Sequence, residues 1–324
     1  MLETKIGTDS HYAAQLLEKG ELVAIPTETV YGLAANGFDP IAVAKIFEAK
    51  KRPLSNPLIL HFSDFESIRG HIKNIPKQAE KLAQKFWPGA MTLLLDKSNQ
   101  IPDIVNSGQS RIAVRVPNHD LTLNLLRRLK FPLAAPSANL YGRVSPTRAE
   151  HVKQQLAGRI PYILDGGNCN TGIESTIIGF EGDNVVIYRL GGISIEDIEA
   201  CLAIKVKIHD HKGMDKQPEA SGMVKYHYAP QTPIHSIDDI LLFPETEKSG
   251  FIGFNELISQ LPAENQFLLS PNKDLEEASK NLYRALHYMD DKKFERLFIC
   301  QFPSIDLGKS INDRINKAIE KYKK

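Results

Sequence analysis

The stretch over residues 26–61, PTETVYGLAANGFDPIAVAKIFEAKKRPLSNPLILH, does most to limit what this chain can fold into. An apolar run at 22–26, LVAIP, predicts a strand, and polar Thr27, Glu28 and Thr29 follow where it ends. Asp39 and Pro40 then predict a helix start, with the Asp side chain capping free N–H groups and the Pro at the first helical position. That helix closes on Lys50, Lys51 and Arg52. A loop bounded by Pro53 and Pro57 carries Ser55 and Asn56, and LILHF at 58–62 predicts a second buried strand ending in His61–Phe62. Strand, helix and strand joined by short loops make the unit of an α/β fold. The hydroxyls, cations, amide and imidazole all fall at the ends of buried elements, where such folds build anion sites.

The chain has 324 residues, enough for two domains. Its hydrophobic share of 42% permits a sizeable core and excludes global disorder. With 40 basic and 39 acidic residues the net charge is +1, so no global field favours nucleic acid or an anionic membrane. Any anion recognition has to be local. Cys169, Cys201 and Cys300 are far apart and form no CxxC pair, which suggests neither a zinc site nor a disulfide framework but buried thiols in a reducing compartment. The N-terminus lacks the apolar segment of a signal peptide, and no apolar run approaches the roughly 18 residues that span a bilayer. A cytoplasmic protein without membrane contact is expected.

Residues 1–205 alternate strands and amphipathic helices, with helices expected over 11–19, 76–86 and 120–129 and strands at 90–95, 112–116 and in FPLAAPSAN at 131–139. Ser145 before Pro146 predicts the N-cap of a further helix. YILDGG, STIIGF and NVVIYRL predict three more strands, and Ser194 with Asp197 three residues on predicts a capped last helix. Residues 206–232 lose periodicity and read as a linker that ends in the aromatic KYHYAP. Residues 233–324 resume the alternation, with strands in FIGF, QFLLS and RLFIC and helices over 275–289 and 310–322, as in a small parallel three-layer α/β domain.

Several residues could carry chemistry. Lys50, Lys51 and Arg52 suit a helix C-terminus, but neutral donors beside them in the Pro-bounded loop favour anion binding. In APSAN at 135–139, Ser137 and Asn139 face the same way if the strand continues. Ser145 falls at an expected helix N-terminus, whose backbone donors bind anions. Glu174, Ser175 and Thr176 lie between a Gly-containing loop and a strand. Arg115 and Arg189 sit in apolar strands and need either an ion-pair partner or a ligand. Other motifs fail. Gly308-Lys309-Ser310 lacks the first glycine of a phosphate loop, because that position is Pro303. His209-Asp210-His211 has metal-like spacing but falls in the linker. Neither a GxSxG elbow nor a GxGxxG fingerprint occurs.

Taken in order, PTETVYGLA, KKRPLSNPL, WPGAMT, IAVRVPNH, APSAN, GRVSPT, IESTI and RLGGI resemble the YrdC-like family over about 190 residues. HYAP and LGKSINDR resemble its longer, two-domain members, the threonylcarbamoyl-AMP synthases. The resemblance implies a twisted α/β sheet with a deep basic cavity, a linker reaching the cavity mouth, and a small Rossmann-like C-terminal domain. The implied reaction joins L-threonine, bicarbonate and ATP into L-threonylcarbamoyladenylate and pyrophosphate, with magnesium accompanying ATP. The product would serve threonylcarbamoyladenosine modification of tRNA through downstream transferase proteins.

By the same resemblance, Lys50 and Arg52 are the catalytic cations and form a tetrad with Ser137 and Asn139 around the nucleotide phosphates. Asn56, Ser145 and Arg189 are further ATP contacts. Arg111 stands where many relatives carry a small hydroxyl, which implies contact through the backbone. Thr29, His61, Arg115, Ala135 and Ser175 form the threonine pocket, with Arg115 on the carboxylate. Tyr228 is the linker residue expected to close over the nucleotide, and the order GMVKYHYAP leaves Tyr226 unassigned. The C-terminal domain is expected to position that lid. Two alternatives are an RNA-binding module, motivated by residues 50–52, and the related hydrogenase-maturation carbamoyltransferase, whose cysteine-rich zinc elements have no counterpart here.

Overall fold

The computed structural model of the chain describes residues 2–210, 218–223, 226–243 and 247–323. Part of the linker, including His211, Val224 and Lys225, lies outside the described residues. The expected strand Val23–Ile25 forms, but the chain does not pass directly to a helix. It turns at Thr27–Val30 and returns as the antiparallel strand Gly32–Asn36, with Ala24 opposite Leu33. GLAAN has little strand propensity of its own, and burial between two neighbouring strands holds it in place. The helix Pro40–Lys50 follows as expected, with the Asp39 carboxylate accepting from the amides of Ile41 and Ala42 at 2.9 and 3.3 Å. It stops where Lys51 turns left-handed at φ 54°.

Among the described residues, eleven strands form one mixed sheet. Its order runs Lys5–Gly7, Tyr162–Leu164, Val23–Ile25, Gly32–Asn36, Leu133–Ala134, Ile59–His61, Arg111–Arg115, Met91–Asp96, Thr176–Glu181, Asn184–Arg189, Lys207–Ile208. The last strand carries the sheet past residue 205, into the segment expected to be linker. FPLAAPSAN yields only a two-residue strand. Helices Pro40–Lys50, Lys77–Phe86 and Ala149–Leu156 bury Val43, Ile46, Leu82 and Val152 in the main core.

Ser145 is not an N-cap. Its helix begins at Ala149, with Arg148 in the cap position and no side-chain bond there. Arg148 Nε donates to His151 Nε2 at 2.8 Å, so the neutral ring carries its proton on Nδ1, which lies 3.4 Å from Thr147 Oγ1. The Ser145 hydroxyl is engaged elsewhere, as described below. Ser194 does cap its helix, accepting from the Asp197 amide at 3.1 Å.

A second sheet has four parallel strands in the order Ile234–Ser236, Arg296–Ile299, Ser249–Gly253, Gln266–Leu268. Helices Leu275–Asp291 and Asp306–Glu320 pack together on one face, where Leu282, Leu286, Ile311 and Ile315 meet Ile252 and Leu297. The opposite face, Phe251 and Phe298, is covered by Ile240 of a 3-10 turn and by Leu261, so the third layer is thin.

Gly308-Lys309-Ser310 lies inside the last helix, which starts four residues before the expected Ser310. A side chain at Gly308 would place its Cβ 1.9 Å from the Pro303 carbonyl oxygen, so the glycine serves close packing. Lys309 makes a partly exposed ion pair with Glu196. Gly308→Ala should therefore cost about 1–3 kcal/mol in urea unfolding, and Lys309→Ala less than about 1 kcal/mol. A larger loss from Lys309→Ala than from Gly308→Ala would contradict this assignment.

Candidate active site

The ends of Val23–Ile25, Ile59–His61, Arg111–Arg115 and Leu133–Ala134 open on one cavity, whose wall includes Thr27, Thr29, His61, Arg115, Ala135, Ser137, Glu174, Ser175 and Arg189. His61 and Arg115 are in-register neighbours on parallel strands, and both are buried. Burial, then the Arg115 charge, push the His61 pKa down to about 3, so its imidazole is neutral at pH 7. Its Nδ1 has no protein partner. Arg115 forms an ion pair with Glu28 at 2.8 Å and donates Nε to the Gly89 carbonyl at 3.2 Å. The Arg interrupting that strand is therefore held by an internal carboxylate. Thr27 shapes the neighbouring turn by donating Oγ1 to the Val30 carbonyl at 2.6 Å and lying 2.9 Å from Thr29 Oγ1.

Lys50 and Arg52 stand one layer behind this wall. Lys50, 1% exposed, donates to the carbonyls of Ser137 and Asn139, so it fixes the turn that presents Ser137. Burial, and then the charge of Arg52, lower the Lys50 pKa well below its usual value. Arg52 donates to Asn56 Oδ1 at 2.6 Å, to the carbonyls of Asn56 and Pro57, and to Ser221 Oγ at 3.1 Å. Burial brings its pKa down to about 10. Asn56 reaches Tyr141 OH at 3.3 Å. Arg189 donates to the Ser175 carbonyl at 2.8 and 3.0 Å, to Ser175 Oγ at 3.1 Å and to the Ser221 carbonyl at 3.1 Å. Ser221 of the linker thus bridges Arg52 and Arg189, and it lines the cavity beside His227 and Tyr228.

Among the described residues, five cations are buried, Lys50, Arg52, Arg115, Arg189 and Arg314, against two carboxylates, Glu28 and Glu174. Arg115 pairs with Glu28 and Arg314 with Glu174. Lys50, Arg52 and Arg189 have only neutral acceptors among the described residues. Burying unneutralised charge is costly, and this cavity concentrates it where an anion can enter.

Of the residues expected in the site, Thr29, His61, Arg115, Ala135, Ser137, Ser175, Arg189 and Tyr228 share the wall. Asn139 lies off it, with Nδ2 on the carbonyls of Leu140 and Arg143. Ser145 is also off the wall, and its Oγ donates to Glu174 at 2.6 Å. Arg111 is farther still, ion-paired to Glu219, donating to Tyr188 OH at 2.9 Å and lying over that ring at 5.0 Å. Tyr228 adopts a left-handed backbone at φ 64°, and its ring stacks near Tyr283 at 5.8 Å. Of the HDH run, His209 stacks on Tyr188 at 4.6 Å. Of the cysteines only Cys169 is fully buried, and all three are free thiols. Glu28, Ser221 and His227 were not anticipated as site residues. A carboxylate directly after a buried strand was the signal for Glu28, while Ser221 carries no local signal at all.

Residues 15–191 match the family model described as Telomere recombination (Sua5_yciO_yrdC), and residues 193–319 match Threonylcarbamoyl-AMP synthase, C-terminal domain (Sua5_C). The chain belongs to this family. It is 38% identical to a threonylcarbamoyl-AMP synthase of Pyrococcus abyssi, over 94% of this chain and 92% of that protein. It is 39% identical to one of Bacillus subtilis, over 94% and 91%. The crystal structure of P. abyssi Sua5 complexed with L-threonine superposes with a TM-score of 0.88 at 36% identity, covering 98% of this chain and 97% of that one. The family's twisted YrdC-like sheet and its separate parallel C-terminal sheet are both present. No helix among the described residues is long and apolar enough to cross a membrane.

In this two-domain architecture the domains meet at Glu174. Its carboxylate accepts from Ser145 Oγ at 2.6 Å, Tyr283 OH at 2.9 Å and Arg314 Nε at 2.8 Å. Burial alone would raise its pKa from 4.5, but the charges of Arg314 and Arg189 and the donated hydrogen bonds bring it down to about 2. A depressed folded-state pKa means the stabilisation is complete above pH 4.5 and drains away as pH falls toward about 2. The unfolding free-energy difference between the native chain and Glu174→Gln should be flat above about pH 5 and shrink by on the order of 3 kcal/mol across that acid window. Urea unfolding at several pH values measures it, and a pH-independent difference would rule out an ionised hub.

Proposed function

We propose that this chain is an L-threonylcarbamoyladenylate synthase, a nucleotidyltransferase that makes threonylcarbamoyl-AMP and pyrophosphate from L-threonine, bicarbonate and ATP. The observation that carries this reading is a single cavity whose wall carries two unlike sets of groups. One set is His61, Arg115, Thr29, Ala135 and Ser175, a neutral imidazole and a held guanidinium suited to a small amino acid, with Ser175 also touching Arg189 of the other set. The other set is Ser137 and Arg189, backed by Lys50, Arg52 and Asn56, where the buried cations have no carboxylate partner among the described residues.

In the proposed reaction the amine of threonine adds to the carbon of bicarbonate with loss of water, leaving a carbamate. A carbamate oxygen then attacks the α-phosphorus of ATP, and the bond to the pyrophosphate oxygen breaks. A carbamate is a weak nucleophile and the phosphate chain is shielded by its own charge. Catalysis is therefore alignment and charge neutralisation, with no covalent nucleophile on the protein. Arg189 and Arg52 neutralise the phosphates, and Lys50 holds the Ser137–Asn139 turn against them. Asn56 orients Arg52, and Tyr228 covers the nucleotide. Asn139, Ser145 and Arg111 lie behind the wall and are proposed to support ATP binding from there.

Among the described residues no three His, Cys, Asp or Glu side chains gather into a metal site. Glu174, the one carboxylate on the wall, is already occupied by three donors. Magnesium is accordingly proposed to enter on the phosphates of ATP, as such cations commonly do. The division of labour is proposed as residues 1–205 for catalysis, 206–232 for the linker and 233–324 for support. The product would pass to a cytoplasmic transferase that modifies adenosine in tRNA. The RNA-binding alternative keeps only one of its three motivating cations at the surface, Lys51, since Lys50 and Arg52 are 1% and 6% exposed and cannot track a phosphodiester backbone.

Pyrophosphate release by the purified protein, with threonine and bicarbonate each omitted in turn, tests the reading. Release is expected only with both present, and Arg52→Ala should lower it at least about 100-fold with the fold retained. Release that needs neither co-substrate would reject the proposal.

A further inference from the structure

We propose that Arg314 and Tyr283, both from the C-terminal domain, are positioning residues for Arg189, the cavity-wall cation assigned to the nucleotide, acting through Glu174 and Leu190 on the two segments that hold it against Ser175. This rests on the synthase reading and goes beyond it, because it gives the second domain a direct side-chain role at the site.

The geometry is a staple. Arg189 is aimed by Ser175, whose carbonyl and hydroxyl accept three of its hydrogen bonds. The residue before Ser175 is Glu174, and the residue after Arg189 is Leu190. Arg314 grips both, with Nε on Glu174 Oε2 at 2.8 Å and Nη2 on the Leu190 carbonyl at 2.7 Å. Tyr283 OH reaches both carboxylate oxygens of Glu174, at 3.1 and 2.9 Å. Ser310, one turn before Arg314, donates to the Gly191 carbonyl at 2.9 Å. The last helix therefore fixes the two backbone segments that meet at Arg189. Glu174 is itself part of the cavity wall, so the staple ends at the substrate space. Arg314 is only 1% exposed, and its guanidinium lies 4.8 Å from the Tyr228 ring, a second cavity-lining group.

A guanidinium that drifts from its aimed position loses charge-assisted bonds to the phosphates, each worth roughly tenfold in affinity. The effect should appear in ATP binding rather than in the chemical step. Arg314→Met also leaves the Glu174 charge buried without its ion-pair partner, which destabilises the fold irrespective of any role in positioning. The double variant Glu174→Gln with Arg314→Met separates the two effects, because the amide still accepts from Ser145 and Tyr283 and removes the orphaned charge.

The experiment measures the ATP dissociation constant by calorimetry, KM for ATP from pyrophosphate release, and the thermal midpoint for the full-length chain and its variants. Tyr283→Phe is expected to weaken ATP binding several-fold, and Arg314→Met about tenfold, with kcat changing less. The double variant should recover thermal midpoint relative to Arg314→Met but no ATP affinity. Recovery of both, or a lowered midpoint with unchanged ATP affinity in the single variants, would overturn the positioning role. If the native chain binds ATP but releases no pyrophosphate, the synthase reading falls. The calorimetric comparison still decides whether Arg314 and Tyr283 position Arg189.

Discussion

Everything around the cavity depends on how, among the described residues, five buried cations are satisfied with two buried carboxylates. Charge out of water is tolerated when it is paired or fully hydrogen-bonded. Here two are paired, Arg115 with Glu28 and Arg314 with Glu174, and each pair contributes one member, Arg115 or Glu174, to the wall. The remaining three cations rely on carbonyls, hydroxyls and an amide. Those acceptors are neutral, so they fix geometry without cancelling charge. The cavity is in effect preorganised for an anion before one arrives, with the reorganisation already met by folding.

The backbone framework serves the same end. Strand ends deliver His61 and Arg115 side by side because their strands are parallel and in register. The turn at 27–30 and the return strand Gly32–Asn36 set the floor of the cavity. The linker contributes Ser221, His227 and Tyr228 to its wall and spans the gap between the two sheets. The second domain lines none of the cavity itself but grips its wall from behind, through Tyr283 and Arg314 on Glu174.

Much of this was legible in the chain itself. Asp39–Pro40 announced a helix start because a cap is a local interaction between neighbours in sequence. Arg115 and Arg189 stood out because a charge in an apolar strand demands a partner, though the sequence could not say that one partner was Glu28 and the other a set of carbonyls. Ser145 misled for the same local reason: Ser-Pro resembles a cap and first turn, yet a long-range bond to Glu174 takes its hydroxyl and the helix starts at Ala149. Gly32–Asn36 was hidden because its strand character comes from neighbours rather than from its residues. The pairing of Glu174 with Arg314 crosses 140 residues, and no periodicity or spacing encodes such a contact.

That separation has a consequence for the order of folding. Contacts between distant residues form only after the loop between them has closed, so they come late relative to local strands and helices. The first sheet can assemble around its own apolar core while Glu174 still faces water. Only when the second domain docks is the carboxylate dried and gripped. The Glu174–Arg314 bond, whose loop is 140 residues long, thus belongs with the last contacts to form, and the cavity wall it grips depends on a contact made from another sheet.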